Sequence, residues 1–413
     1  MSDKKMKVMV LSDHPFSPSG VGTQTMYMLE GLLKTGKYQF LCLGGAIKHA
    51  NYNPTKTEKW GDDLIIMPVD GYGNHDMVRS FMRQFKPDII WFMTDPRFWV
   101  WLWQIEQEIR ANVPMIYYHV WDNYPYPKFN RKFYLSNDKI VTISKLTSDI
   151  VKTVAPEVDE EYLPHAVNPD IFKPLDEKEY SNLIQKDKTL FFWTNRNARR
   201  KMSGSVIWWF KEFLDKVGHD KAFLLMHTDP KDPHGQDLEA IARELGLSRK
   251  NFGVSAAKVP PQQMAQFYNA ADATINISDA EGFGLSVLES LSCGTPVIAN
   301  KTGGMQDQMT DGKEVFGVLI DPASRAIIGS QEVPFIYEDR VSKEDFVSAL
   351  EKIHNMSREE RKELGRKGHE YINKDFNFEQ FSARWDKILT DIHQKHGSWE
   401  TRKNYQSWKL KEI

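Results

Sequence analysis

The sequence predicts an α/β protein of two domains, each a parallel sheet covered on both faces by helices. Three observations carry this reading. The chain has 413 residues, more than one typical core accommodates. Its first half alternates short apolar runs with helical patterns. The same rhythm restarts after a stretch in which Pro164, Pro169 and Pro174 break regular structure.

Taken in order, strands are expected at 6–11, 38–43, 64–68, 88–93, 115–120 and 140–143, with helices between them. One such helix, 23–33, carries Met26, Leu29 and Leu33 at helical spacing. Residues 163–175 read as a linker. Beyond it, strands are expected at 190–194, 223–227, 273–277, 297–299 and 316–319, with helices at 237–245 and 262–271 among those between them. The 323–340 stretch is long for a connection between strand and helix and suits a small hairpin. A highly charged solvated helix is expected at 357–376 and an amphipathic one at 378–396, followed by a polar tail. The expected domains are therefore 1–175 and 176–376, both Rossmann-like, with 377–413 packing back toward the first. A ligand is expected at the carboxyl ends of the strands, between the two domains.

Composition narrows the class. Hydrophobic residues make up 41% and charged residues 27%, ordinary for a soluble globular chain. The net charge of −2 gives no general pull toward nucleic acid or anionic membrane, so tight backbone binding to nucleic acid is not expected. Cys42 and Cys293 lie far apart in apolar contexts without metal-ligand spacing, which fits a reducing compartment. No secretory signal or membrane-spanning run is visible, so the expected location is cytoplasmic, with peripheral attachment to a membrane surface left open.

The chemistry concentrates in three places. The most informative is Glu281-Gly-Phe-Gly-Leu-Ser-Val-Leu-Glu289, where two carboxylates flank seven residues. The glycines let a ligand approach the backbone, and a helix starting near Leu285 or Ser286 offers free N–H groups to an anion. Such a segment suits a ligand that is both a phosphate ester and a polyol. The second place is Asn195-Arg-Asn-Ala-Arg-Arg-Lys201, with four cations at the end of a strand. They are either a solvated basic loop or a grip on a departing diphosphate. The third is Ser17-Pro-Ser-Gly-Val-Gly-Thr23, where Gly20 and Gly22 can bring amides to a phosphate or simply form a strand-to-helix turn. Thr25 stands where a dinucleotide fold needs its third glycine, and Leu43-Gly-Gly45 where it needs an acid, which argues against a nicotinamide cofactor.

With these residues in view, the chain resembles the family 4 retaining glycosyltransferases, whose GT-B architecture faces two Rossmann-like domains across a cleft. The glutamate pair Glu281 and Glu289 matches that family's signature, and Arg196 with Lys201 matches its arginine–lysine pair. Cys293-Gly-Thr-Pro-Val-Ile298, Gly303-Gly304 and Ala270-Ala-Asp272 also fit, and Leu163-Pro-His-Ala-Val-Asn168 fits more loosely. The resemblance implies that Glu289 binds ribose hydroxyls. It implies that Glu281 holds the transferred sugar with the amides of Phe283, Gly284 and Leu285. Arg196 and Lys201 would grip the diphosphate, Gly20 and Gly22 would pass close to it, and His119 would contact the donor sugar. The leaving phosphate would take the acceptor's proton as the acceptor attacks from the same face. No Asp-x-Asp pair occurs in the sequence, so no metal is expected and the cations would stand in for one. No cofactor is required beyond a nucleoside-diphosphate sugar, UDP-sugar being favoured over GDP-sugar, with the base expected at a loop over 252–255.

The acceptor is a hydroxyl of a saccharide, lipid-linked sugar, small molecule or modified base, expected on the first domain. Trp99, Trp101 and Trp103 suit a helix packed on the sheet. Trp121, Asp122, Tyr124 and Tyr126, in a proline-broken loop, are the acceptor candidates, with Asp122 holding a hydroxyl. Competing readings are a sugar-nucleotide epimerase or sugar phosphorylase of the same architecture, or a non-catalytic nucleotide-sugar-binding protein.

Overall fold

The computed structural model describes residues 4–185 and 187–407. The chain divides into two compact units. One takes the chain through Ala166 and again from Phe378 onward, and the other is Val167–Asn377.

The first unit is built on an eight-stranded sheet: β1 (Met6–Asp13), β2 (Tyr38–Gly45), β3 (Thr55–Lys56), β4 (Leu64–Pro68), β5 (Ile89–Thr94), β6 (Met115–His119), β7 (Lys139–Thr142) and β8 (Glu160–Tyr162). Their order is β3-β4-β2-β1-β5-β6-β7-β8, and all neighbours run parallel except β3 with β4. Every residue of β5 is buried, as expected for a continuous apolar run covered on both faces. The short edge strands β3 and β8 escape sequence reading because both are polar and only two and three residues long. The final helix Phe378–His396 packs in this unit. Fully buried Trp385 sits edge-on to Trp91 at 5.7 Å and to Tyr118 at 5.0 Å, and Tyr38 donates its hydroxyl to Asp386 Oδ1 at 2.7 Å.

The second unit contains β9 (Thr189–Thr194), β10 (Ala222–His227), β11 (Phe252–Ser255), β12 (Ala273–Asn276), β13 (Val297–Asn300) and β14 (Gly317–Ile320). The order β11-β10-β9-β12-β13-β14 is parallel throughout. The chain winds outward in both directions from β9 and β12, so the sheet's topological switch lies between these two strands. In such a sheet the crevice outside their carboxyl ends is where ligands bind. Two further strands, β15 (Ser324–Ile328) and β16 (Ile336–Arg340), pair antiparallel as a separate hairpin within the 323–340 stretch.

Three expectations need adjustment. The boundary falls after Ala166 and not at 175, because the proline-rich segment packs on the second unit. Asn269 accepts from Leu175 N at 2.8 Å and donates to Lys173 O at 3.0 Å, and Phe172 meets the ring of Tyr268. Residues 252–255 are not a loop but the edge strand β11. The first helix runs Gly20–Leu33, starting three residues early because Ser19 caps it.

Candidate active site

The cations follow β9. Arg199–Lys201 form a single tight turn, and Met202 takes a left-handed conformation at φ +57 before the helix Ser203–Val217. Buried Asn197 pins the loop, donating to Gln236 O at 2.7 Å and accepting from Ser203 Oγ at 2.7 Å. Lys201 is thereby turned inward, with a side chain only 8% exposed.

Glu281 arrives from the loop after β12, and Lys201 Nζ and Arg200 Nη1 both donate to its Oε2, the latter at 3.3 Å. Burial by itself would push this carboxyl up. The charges of Lys201 and then Arg200 outweigh it and hold Glu281 below its ordinary value, so it stays ionised. Arg200 also donates to Ala280 O, so the two loops are joined.

Gly284, at φ +88, reverses the chain into the helix Leu285–Ser292 and leaves that helix without a side-chain cap. The first N–H groups of an uncapped helix are open to an acceptor. A Cβ on Gly284 would come within 2.7 Å of Met305 Cγ. Gly303, at φ +51, comes so close to Glu281 O that a Cβ would stand 1.7 Å from it. Gly304 N donates to Glu281 O and Gly282 O, and Gln308 donates to Phe283 O, which fixes the turn from beneath. Glu289 lies on the helix and accepts from Tyr268 OH at 2.7 Å. Burial raises its carboxyl to about 7 against the opposing Tyr268 hydrogen bond.

The structure thus joins Lys201 and Glu281 directly and sets the Phe283-Gly284-Leu285 turn on the chain leading from Glu281 to Glu289. Arg196 is not drawn in. Its guanidinium is 61% exposed and pairs with Asp232 through Nε at 2.7 Å and Nη2 at 3.2 Å. Arg200 takes the place beside Glu281. Arg200 belonged to the basic run but stood outside the expected arginine–lysine pair. Tyr268 and Gln236 gave no sequence signal at all, because each acts through a contact distant in sequence.

In the first unit several of the expected site residues are enclosed. His119 has no exposed surface. It shares a face of β6 with Tyr117, is covered by the helix Arg131–Leu135, and bonds Tyr134 OH at 2.8 Å. Burial drives its pKa down to about 3, so the imidazole is neutral, and it presents no surface in this structure. Trp121 is only 6% exposed and donates to Asn123 O at 2.9 Å, so it offers no open ring face. Gly22 is buried against Ser17 and gives its N–H to Ser19 Oγ at 3.0 Å, which leaves Gly20 as the exposed glycine of that turn. Tyr124 and Tyr126 both donate to Asp149 Oδ2, at 2.7 and 2.8 Å, and Asp122 is partly buried between Trp121 and Asn123. Trp99 and Trp103 are buried against Phe92, as the helix-packing reading expects. Both cysteines are buried thiols, and no helix among the described residues is long and apolar enough to cross a membrane.

Comparison with known proteins bears on the fold and the family. Residues 176–371 match the family model of glycosyl transferases group 1. The chain is 42% identical over 84 residues to D-inositol 3-phosphate glycosyltransferase of Acidothermus cellulolyticus, a match covering 20% of this chain and 18% of that one. It is 42% identical over 114 residues to the same enzyme of Corynebacterium jeikeium, covering 27% and 26%. The chain therefore spans only about a fifth to a quarter of the length of these relatives. Among solved structures it is similar to sucrose-phosphate synthase from Thermosynechococcus elongatus, with a TM-score of 0.74 at 15% identity over 95% of this chain and 100% of that one. It is also similar to Anabaena HepE in complex with UDP and glucose, with a TM-score of 0.67 at 13% identity over 94% and 100%. The fold is accordingly of the GT-B type, and the match to group 1 glycosyl transferases lies in residues 176–371.

Proposed function

We propose that the protein is a retaining, metal-independent glycosyltransferase of the family 4 type that moves a sugar from a nucleoside-diphosphate sugar to a hydroxyl acceptor. The observation that carries this reading is the convergence of Lys201 and Arg200 on Glu281, directly before the glycine turn that opens the Glu289 helix. In this reading the diphosphate enters between the cations and the helix start, where amides and dipole favour an anion. Glu281, ionised at all physiological pH, accepts from hydroxyls of the transferred sugar. Glu289 accepts from the ribose. As the bond from the anomeric carbon to the leaving oxygen breaks, negative charge grows on the diphosphate. Lys201, Arg200 and, once released from Asp232, Arg196 stabilise it. The acceptor oxygen bonds to the anomeric carbon from the same face, and its proton passes to the leaving phosphate oxygen.

UDP is the first donor base to test, because HepE, which shares this fold, was solved with UDP and glucose. The matched fraction of the inositol-phosphate enzymes is too small to carry their acceptor over. The acceptor remains a hydroxyl, with Asp122 and Tyr124 the first positions to vary.

Thermal melting in UDP, GDP and their sugars tests the donor reading. A rise in melting temperature with one base is expected, and no response to any of them rejects the proposal. Incubation with donor alone separates the alternatives, since an epimerase converts the sugar without acceptor. Activity in excess chelator is expected to be unchanged. Loss restored by magnesium or manganese would reject metal independence.

A further inference from the structure

The β15–β16 hairpin has little core of its own. Each strand is five residues long, and Ile327 is 64% exposed. Isolated two-stranded hairpins of this kind are marginal in water. This one is held by polar contacts to three loops at the carboxyl edge of the second sheet. Asp339 N donates to Asp279 O at 2.8 Å, Asn300 Nδ2 donates to Asp339 O at 2.7 Å, and Thr302 Oγ1 donates to Asp339 Oδ2 at 2.8 Å. Those bonds anchor it to the ends of β12 and β13.

The third anchor is Glu338, only 1% exposed. It accepts from both terminal nitrogens of Arg199, Nη1 at 3.1 Å, and from Arg340 Nη2 at 3.0 Å. Arg199 opens the turn whose next two residues, Arg200 and Lys201, meet Glu281. The backbone repeats the link, because Asp279 N donates to Arg200 O at 2.8 Å. Asp279, two residues before Glu281, is 2% exposed, and its Oδ1 has no hydrogen-bond partner among the described residues. Hairpin, cation turn and glutamate loop are thus joined by hydrogen bonds and ion pairs into one charged cluster. Within it Glu338 is the buried carboxylate that answers two guanidiniums.

We propose that Glu338 is a positioning residue that acts through Arg199, so that the hairpin fixes the turn presenting Arg200 and Lys201 to Glu281. Glu338 itself touches no ligand. Without its carboxylate, Arg199 loses its anchor and the turn gains freedom at its first residue. A small displacement of groups that must meet a transition state costs rate steeply. The catalytic consequence rests on the reading of this site given above, whereas the positioning consequence does not.

Two measurements test the proposal. The first is hydrogen exchange on the ligand-free protein. Glu338→Gln should lose protection in 196–203 and 279–284 while the strands of both sheets keep theirs. Unchanged exchange in those loops overturns the proposal. The second is a double-mutant cycle on sugar transfer. Glu338→Gln, Arg199→Gln and the double variant should each lose about ten- to a hundredfold in kcat, by a similar factor and non-additively. Additive losses, or none, overturn it. Ile327→Ser, on the exposed face of the hairpin, should behave as wild type. Arg199 is 62% exposed, so Arg199→Gln supplies the exchange test if Glu338→Gln fails to fold. Failure of the wild-type protein to bind any nucleoside diphosphate would sink the proposed function and leave the exchange comparison to decide this inference.

Discussion

The phenol of Tyr268 donates to Glu289 Oε2 at 2.7 Å, on the helix that Gly284 opens. Burial nevertheless raises Glu289 from 4.5 to about 7, so near neutrality the group is poised between its two forms. A carboxyl raised on folding stabilises the protein below its unfolded value, near 4.5, and that contribution is lost as pH climbs through about 7. Gln mimics the protonated form. Glu289→Gln should therefore melt above wild type at pH 8 and with it near pH 4, and equal melting at both would contradict the assignment.

The same residue predicts a pH dependence of binding. Ribose hydroxyls donate to a carboxylate and less well to a carboxylic acid. Affinity for UDP should therefore rise from pH 6 to pH 8, and binding near pH 6.5 should release a proton. Calorimetry in two buffers of different ionisation enthalpy reads this directly. Glu289→Gln should abolish the release and weaken binding by about ten- to a hundredfold, the worth of a hydrogen bond to a charged group.

Glu281 behaves in the opposite sense. Burial opposes its charge, but Lys201 and Arg200 hold its carboxyl below 4.5. Its contribution to stability is complete above the unfolded value and is lost as pH falls through the lower folded one. Glu281→Gln should remove that acid-side loss while depriving buried Lys201 of the Glu281 carboxylate, which lowers the melting temperature at pH 7. A variant whose melting temperature falls in parallel with wild type from pH 5 to pH 3 would show that the carboxyl is not held down.

Much of this site was legible because its residues are chemically loud and close in sequence. Glu281 to Glu289 spans one turn and one helix, and the four cations follow one strand. The strands were readable because β5 and β9 are unbroken apolar runs. What escaped depends on contacts between distant segments. Arg196 and Arg200 look alike in sequence, and only Asp232, brought alongside by the fold, diverts the first. His119 ends a strand, as a ligand contact would. Its burial comes from Tyr134 in a five-residue helix that no periodicity announces. The hairpin was readable only as an irregular length, and the grip of Glu338 on Arg199 spans 139 positions.

Arg196 is exposed in its pair with the largely covered Asp232, and pairs with an exposed partner are worth about 0–1 kcal/mol. A diphosphate can therefore compete for the guanidinium. Asp232→Asn should tighten UDP binding by up to about fivefold, the equivalent of that energy. Arg196→Gln should weaken it. Neither should alter binding of uridine, which carries no phosphate. Equal effects on UDP and uridine would place Arg196 away from the diphosphate.

Gly303 separates two reasons for a glycine. Its φ of +51 is left-handed, and a Cβ there would lie 1.7 Å from Glu281 O, a distance no backbone tolerates. Gly312 is also left-handed, at φ +89, but nothing lies within 4 Å of its missing Cβ. Gly312→Ala should therefore meet only the conformational cost, about 1–2 kcal/mol, and leave nucleotide affinity intact. Gly303→Ala meets the same cost and must also push the Glu281 loop away from Lys201. It should melt lower than Gly312→Ala and lose UDP binding. If the two variants melt alike and both bind UDP, the close approach of Gly303 to Glu281 does not shape the site.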